Sequence, residues 1–486
     1  MAQKLKILIA ASEVYPYAKT GGLADIAGSL PKALKQLGHD VRVIMPKYQS
    51  VVKCPLGMHP VGLDVDVPIG GVQKKGFVFQ GNLNGGIPIY FVGNDTYYAR
   101  DGIYGTSHGD YPDNAERFAF FCRSVLEVCK SIRFQPDIIH CNDWQTGLVP
   151  AYLKTVYAKN RWFKNIRTLF SIHNLGYQGN FPSSELKTAG LPFSAYTPEG
   201  VEFYNHFSFL KAGLVYADLL NTVSPAYAKE IQTKAYGFKM DGVLRKRSKD
   251  LIGILNGVDT VEWNPALDPL IEQTYSPKSL KGKSVCKSRL ADIFSLKIND
   301  KIPILSMVTR LSSQKGIELV IEAMDDILDE GAAFVMLGSG DARYEEYFLK
   351  MRKRFPGQVG TFIGFDETLA HKVLAGSDLL LMPSQYEPCG LTQMYSLQYG
   401  TVPVVRAVGG LQDSIKEFNG KTLKGTGFKF KKFEADFFAR AVQKALSVFQ
   451  KKRHWRRLML NGMETNHSWD RAARKYNRAY LRALKR

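Results

Sequence analysis

At 486 residues the chain is too long for one compact core, because single cores stop growing beyond roughly 250–300 residues. Its hydrophobic fraction of 45% allows large buried cores, and no apolar run approaches the ~18–20 residues that a helical membrane span needs. The net charge is +20, and the last 36 residues hold 12 Lys and Arg against 2 acids, so half the excess sits there.

Length alone suggests about three domains; the pattern along the chain argues for two large ones. The N-terminus reads MAQKLKILIAASEVYP. Its apolar stretch is short and runs into Ser12 and Glu13, so a buried first strand over 6–11 explains it better than a signal peptide. Further short apolar runs at 41–45, 87–92, 137–140, 168–172 and 219–223 read as buried parallel strands. A helix is expected just after Gly22, running to about Gln36, and helical patterns lie at 115–129 and 147–158. Strands alternating with helices imply a mainly parallel, doubly wound sheet. The segment 264–301 is rich in Pro, Lys and Ser, lacks strong periodicity, and reads as a connecting excursion near a domain boundary. The pattern then restarts with strands at 304–308, 333–337, 360–363, 379–382 and 402–405. Helical segments at 316–329, 344–354, 368–375 and 391–399 lie between them, making a second α/β unit. In the tail, 468–484, Trp469, Ala472, Tyr476, Ala479 and Ala483 fall on one face of an amphipathic helix, with Arg and Lys opposite.

Ligands of open doubly wound sheets bind beyond the carboxyl ends of the strands, and the chemistry-bearing residues lie there. After the first strand, Lys19, Gly21 and Gly22 precede a helix N-terminus, whose free N–H groups favour an anion, and Asp25 falls in its first turn. This is neither a G-x-G-x-x-G fingerprint nor a P-loop, which disfavours a plain dehydrogenase or P-loop ATPase; an ordinary strand–turn–helix junction is the alternative. Asp143 and Trp144 follow the strand at 137–140, and His173 and Asn174 follow the one at 168–172. Amide, carboxylate, indole and imidazole groups suit a sugar. In the second half, Arg310 and Lys315 follow a strand in VTRLSSQKG; one offers a fork and the other a point charge to a diphosphate. Glu387 lies in SQYEPCGLTQMYSL, where Gly390, Leu391 and Thr392 open the next helix. The six cysteines are scattered without a C-x-x-C pair, which suits a reducing cytosol and argues against structural zinc. His140, Cys141 and Asp143 do not make a metal cluster, because alternate strand residues point to opposite faces.

KTGGLADI, HCNDWQTGL, SIHNLGYQG, ILNGVD, VTRLSSQKG, MLGSGD, PSQYEPCGLTQ and VGGLQDS occur in that order, and together they resemble the bacterial glycogen synthase and plant starch synthase family across nearly the whole chain. The resemblance implies an α/β fold of the GT-B type, two Rossmann-like doubly wound domains with a deep cleft between them. The acceptor-side domain would be 1–257, the nucleotide-sugar domain 258–467, with helix 468–486 packing back onto the first. It implies retaining transfer of glucose from ADP-glucose to the non-reducing end of an α-1,4-glucan, without metal or other cofactor, in the cytoplasm. By motif, Lys19, Gly21, Gly22 and Asp25 would serve the donor. His173 would sit against the donor glucose near its reacting carbon, Arg310 and Lys315 would neutralise the diphosphate, and Glu387 would stabilise the cationic transition state. Cys389, Gly390, Leu391 and Thr392 would line the glucose and phosphate pocket, and Asn256 would lie near the cleft. Asp143, Trp144 and Asn174 would face the acceptor. Tyr395 stands where some other retaining glycosyltransferases carry a second glutamate, and the synthases tend to have Tyr there. Phe365 replaces a Tyr on which the nucleotide base stacks in some members, keeping the ring and losing the hydroxyl.

Three other readings follow from the same residues. A retaining glucosyltransferase could use UDP-glucose or a small acceptor. A non-catalytic glucan-binding protein is opposed by the intact charged set Lys19, Arg310, Lys315 and Glu387. A nucleic-acid-binding protein is favoured by charge alone; no helix-turn-helix, zinc finger or RNA-binding signature accompanies it, and a solvated basic surface on the C-terminal helices explains the charge more simply.

Overall fold

A computed structural model describes residues 3–106 and 108–486. The chain divides into two compact units. The first takes the chain up to Val223, Ala228–Gly257 and Trp469–Arg486; the second takes Ser224–Tyr227 and Val258–Ser468.

The first unit is built on nine strands: β1 Lys6–Ala10, β2 Asp40–Pro46, β3 His59–Ile69, β4 Val72–Leu83, β5 Ile87–Gly93, β6 Ile138–Asn142, β7 Arg167–Ile172, β8 Leu219–Thr222 and β9 Leu251–Gly253. Their order is β9-β8-β7-β6-β1-β2-β5-β4-β3. Pairing is parallel from β9 to β5, and β3, β4 and β5 are joined antiparallel at one edge. The central strands are apolar because both faces are covered: all five residues of β6 are buried, and in β1 only Lys6 is exposed. The hairpin β3–β4 instead alternates; Val65, Val67 and Ile69 point inward while Asp64, Asp66 and Pro68 face solvent. The first helix, Gly22–Gln36, buries Leu23, Ile26, Ala27, Leu30 and Leu34 at helical spacing. The C-terminal helix Trp469–Ala483 packs against it and against β7 and β8, with Trp469, Ala472, Tyr476, Ala479, Tyr480 and Ala483 buried. The chain leaves this unit at Gly257 and returns at Trp469, and the two meet: a Cβ on Gly257 would lie 2.6 Å from the Trp469 backbone nitrogen.

The second unit has six parallel strands: β10 Ile304–Val308, β11 Ala333–Gly338, β12 Val359–Ile363, β13 Leu379–Met382, β14 Val402–Arg406 and β15 Phe428–Phe430. Their order is β12-β11-β10-β13-β14-β15. Alternate strand residues enter two separate cores. Leu305, Phe334 and Leu379 join one, with helices Ile317–Asp329 and Ala435–Phe449; Ile304, Val335 and Leu380 join the other, with helices Lys281–Phe294 and Glu367–Gly376. Helices therefore cover both faces, as in a doubly wound sheet.

The segment 264–301 is more than a connecting excursion. It contains the helix Lys281–Phe294, which buries Lys283, Cys286, Lys287 and Leu290. Lys283 donates to the Ala375 carbonyl at 3.0 Å and to Thr401 Oγ1 at 2.8 Å, and burial pushes its ammonium down to about 8. Lys287 pairs with Asp378 at 2.8 Å. Just upstream, the Trp263 ring lies between His371 and Tyr395, with centroids 3.8 and 4.0 Å away and nearly parallel planes. Asp268 accepts from His371 Nδ1 at 2.8 Å and from the Tyr399 hydroxyl at 2.5 Å. Burial opposes charge on Asp268, but the bonds from His371, Tyr399 and the Leu270 amide outweigh it and hold the carboxyl below its ordinary range. Trp263→Ala removes the centre of this stack and is expected to destabilise the second unit by about 3–5 kcal/mol. A urea-unfolding midpoint equal to that of the native chain would contradict this.

Candidate active site

Each sheet has one place where the connections leave in opposite directions. In the first unit it lies between β1 and β6, in the second between β10 and β13. Loops at the carboxyl ends of such strand pairs splay apart and leave room for a ligand. The residues singled out above lie on those loops or on the strands beside them.

In the first unit the loop after β1 is organised by Glu13, whose side chain is buried. Its carboxylate accepts from the Thr20 amide at 2.5 Å, the Gly21 amide at 3.1 Å, the Thr20 hydroxyl at 2.7 Å and the Tyr104 hydroxyl at 2.6 Å. The Gly21 amide is therefore engaged inside the protein, and the amides at the start of the helix begin with Gly22. A Cβ on Gly21 would meet nothing within 4 Å, so the space on that side is open. Lys19 Nζ lies 2.8 Å from Asp25 Oδ1, and both are partly exposed. Asp25 holds the lysine over the loop.

At the ends of β6 and β7 the central residue is Asn142. Its Nδ2 donates to the Ala10 carbonyl at 3.0 Å and the His140 carbonyl at 3.2 Å, which fixes the amide so that Oδ1 faces His173 Nε2 at 2.8 Å. Nε2 is then the protonated nitrogen, and His173 Nδ1 is a buried lone pair with no hydrogen-bond partner. Burial pushes the imidazole down to about 3, so it stays neutral. Asp143 occupies the left-handed region at φ 57° and accepts from the His173 amide at 2.7 Å. Burial pushes its carboxyl up to about 7, against the lowering effect of the His173 and Asn174 amides. Trp144, expected on the acceptor side, is 8% exposed and packs edge-on against Phe118, Phe181 and Phe209, so most of its ring anchors the loop. Asn174 turns its own loop by accepting from the Gly176 amide at 3.0 Å. Asn256 is buried, and its Oδ1 has no hydrogen-bond partner.

In the second unit the loops after β10 and β13 are joined directly. Lys315 Nζ and Glu387 Oε2 are 2.7 Å apart, and both side chains are largely buried. Ser384 Oγ donates to the same oxygen at 3.0 Å. The Gln385 amide donates to the Gln314 carbonyl at 2.8 Å. Gly316, at φ 68°, must be glycine, because a Cβ there would lie 2.2 Å from the Pro383 carbonyl oxygen. Arg310 is exposed, and no side-chain hydrogen bond or ion pair is seen for its guanidinium among the described residues. Beyond Glu387, Cys389 is buried and Gly390 has φ 67°. Leu391 precedes the short helix Thr392–Gln398, and Gln393 Nε2 ties the Cys389 and Gly390 carbonyls at 3.0 and 3.1 Å. Phe365, on the loop after β12, is 78% exposed and stands apart from these bonds.

The structure thus brings together Lys19 with Asp25, Asp143 with His173, and Lys315 with Glu387. Glu13, Asn142, Ser384 and Gln393 lie on or beside the same loops and were not among the expected site residues. Glu13 and Asn142 had a signal, a polar group at or shortly after the end of a buried strand; the other two are ordinary polar residues in the string. Among the described residues no three His, Cys, Asp or Glu side chains are grouped to hold a metal ion, and no helix is long and apolar enough to cross a membrane.

The starch synthase catalytic domain family matches residues 6–246, and the glycosyl transferases group 1 family matches 288–461. The chain is 46% identical over 480 residues to a glycogen synthase of Syntrophotalea carbinolica, covering 99% of each. It is 45% identical over 486 residues to one of Thermotoga maritima, again covering 99% of each. The catalytic domain of starch synthase IV from Arabidopsis thaliana, solved with ADP and acarbose, matches all of both chains at a TM-score of 0.93 and 33% identity. Sucrose-phosphate synthase from Thermosynechococcus elongatus shares the fold, at a TM-score of 0.61 and 17% identity over 99% of each chain. With its two parallel-sheet units of the GT-B type, the chain belongs to the glycogen and starch synthase family of glucosyltransferases.

Proposed function

We propose that the protein transfers glucose from ADP-glucose to the non-reducing end of an α-1,4-glucan with retention of configuration, and that no metal takes part. The observation that carries this reading is the cationic and anionic set at the second switch point: Arg310, Lys315 and Glu387 on two adjoining loops. The difficult step is departure of the diphosphate from the glucose C1. Arg310 and Lys315 stabilise the leaving group, the first by a fork and the second by a point charge. Glu387 counters positive charge on the ring; its Oε2 is held by Lys315 and Ser384, and Oε1 is the oxygen turned to the sugar. His173 Nδ1, a neutral acceptor without a partner in the protein, receives a hydroxyl of the donor glucose. Because that imidazole stays neutral, it adds no positive charge beside the cationic ring. Lys19 and the helix amides from Gly22 onward serve the donor, and the exposed ring of Phe365 takes the base by stacking. Asp143 and Asn174 shape the acceptor side.

The reading is tested by nucleotide release from ADP-glucose and UDP-glucose, each with and without glycogen. Glycogen-dependent release of ADP in preference to UDP is expected; equal or reversed preference moves the donor assignment to UDP-glucose, and no release with either leaves a glucan-binding protein. Lys315→Ala and Glu387→Ala should each raise the barrier by about 2.7–4 kcal/mol, a loss of ~10²–10³ in kcat. Near-native kcat in either would remove that residue from the chemistry.

Asp143 makes activity and stability run in opposite directions with pH. Its folded carboxyl holds a proton up to about 7, whereas the unfolded one releases it near the ordinary value of 3.8. Between those values the unfolded state binds fewer protons, so this group lowers stability as pH rises. The ionised carboxylate accepts from the His173 amide more strongly than the neutral acid does, so kcat/KM is expected to rise through about pH 7. Asp143→Asn should flatten the rate profile there and make the unfolding free energy climb more steeply with pH, by about 1.4 kcal/mol per unit between the two pKa values. Unchanged pH profiles of both quantities would show that Asp143 titrates elsewhere.

A further inference from the structure

Behind the loops of the first unit, five fully buried polar side chains form one chain of hydrogen bonds: Tyr480, His140, Ser171, Asn221 and Tyr476. Tyr480 OH lies 3.0 Å from His140 Nδ1, and His140 Nε2 lies 2.7 Å from Ser171 Oγ. Ser171 Oγ and Tyr476 OH both reach Asn221 Oδ1, at 2.7 and 3.2 Å. The direction of every bond is set by Asn221. Its Nδ2 donates to the Thr222 and Ile252 carbonyls, so its Oδ1 only accepts. Ser171 must give its single proton to that oxygen. His140 must therefore carry its proton on Nε2 to satisfy Ser171, and its bare Nδ1 must receive the proton of Tyr480. The two tyrosines come from the C-terminal helix, while the other three residues come from β6, β7 and β8.

Two members of this chain stand next to the site. His140 precedes Asn142 by two residues on β6, so the two lie on one face of the sheet, and Ser171 on β7 comes two residues before His173, which follows the end of that strand. The His140 carbonyl also accepts from Asn142 Nδ2, the group that orients the His173 ring. We propose that Tyr480 and Tyr476 are positioning residues for the transfer reaction. Through His140 and Ser171 they hold the ends of β6 and β7 so that Asn142 presents His173 Nδ1 to the donor sugar. The C-terminal helix is thus part of the active-site framework. This inference rests on the reading of His173 as a donor-sugar contact.

The experiment is a cycle of Tyr480→Phe and His173→Ala in the full chain, with kcat and KM for the nucleotide sugar measured well below the melting temperature. Tyr480→Phe should lower kcat about tenfold with little change in KM, and should lower it by less than about twofold once His173 is already Ala. Equal losses in both backgrounds, or a lowered melting temperature with native kcat, overturn the proposal while leaving the His173 reading intact. Native kcat in His173→Ala alone overturns that reading and the proposal with it. The imidazole nitrogen resonances of His173 give an answer without turnover: they should shift in Tyr480→Phe, and an unchanged spectrum counts against positioning. If Tyr480→Phe does not fold, Tyr476→Phe, which removes the other donor, is taken through the same cycle with the same criteria.

Discussion

The first unit depends on one amide. Asn142 sits at the carboxyl end of β6, buried, and its two N–H groups bridge the Ala10 carbonyl of β1 and the His140 carbonyl of β6. Its oxygen then takes the His173 ring at the end of β7. One side chain therefore joins three neighbouring strand ends at the point where the sheet changes direction. A switch point opens because its loops diverge; without a tie, the strand ends there would be the least constrained part of the sheet. A carboxylate could accept from His173 but could not bridge two carbonyls, and an aliphatic residue could do neither. The site's geometry follows from this bond set, and the loops that carry the charged groups are arranged around it.

The second unit solves the same problem with charge. Its switch-point loops are joined by Lys315 and Glu387, by the Gln385 amide on the Gln314 carbonyl, and by the backbone approach that Gly316 permits. Removing either partner of a largely buried ion pair leaves the other uncompensated, so such a pair is retained for function more readily than for stability. The strand ends of the first unit are tied by neutral groups, and the switch-point loops of the second by formal charges.

How much of this could be read in the string depended on where each side chain points. Strands buried on both faces announce themselves as apolar runs, and every one read from the sequence lies on a strand of the structure. The hairpin β3–β4 did not, because half its residues face water. The helix Lys281–Phe294 was hidden for a different reason: its buried positions include Lys283 and Lys287, whose charges interrupt the apolar period although their ammonium groups are held inside by carbonyls and Asp378. In the loops, the charged and polar residues proposed for the site occur in short strings after strands, which is why the sequence singles them out. Trp144 shows the limit. Its position after a strand suggests a ring open to a sugar, whereas most of that ring is enclosed by Phe118, Phe181 and Phe209, which the string does not show.

The C-terminal helix carries the same lesson into the charge distribution. Its outward face bears Arg471, Arg474 and Arg478, part of the excess that first drew attention to the tail. Its inward face is alanine, which lets the helix approach closely, together with Trp469 and the two tyrosines that reach the sheet. The spacing of Trp469, Ala472, Tyr476, Ala479 and Ala483 marks the packed face in the sequence, but it does not show that two tyrosine hydroxyls on that face reach the sheet. Yet exposed charges on a helix contribute little to holding it in place, whereas a buried hydroxyl aimed at a histidine lone pair leaves an unpaired group behind if it is removed. The part of this segment that acts on the site is therefore its uncharged side, and the net charge of +20 is a property of the surface that the fold turns outward.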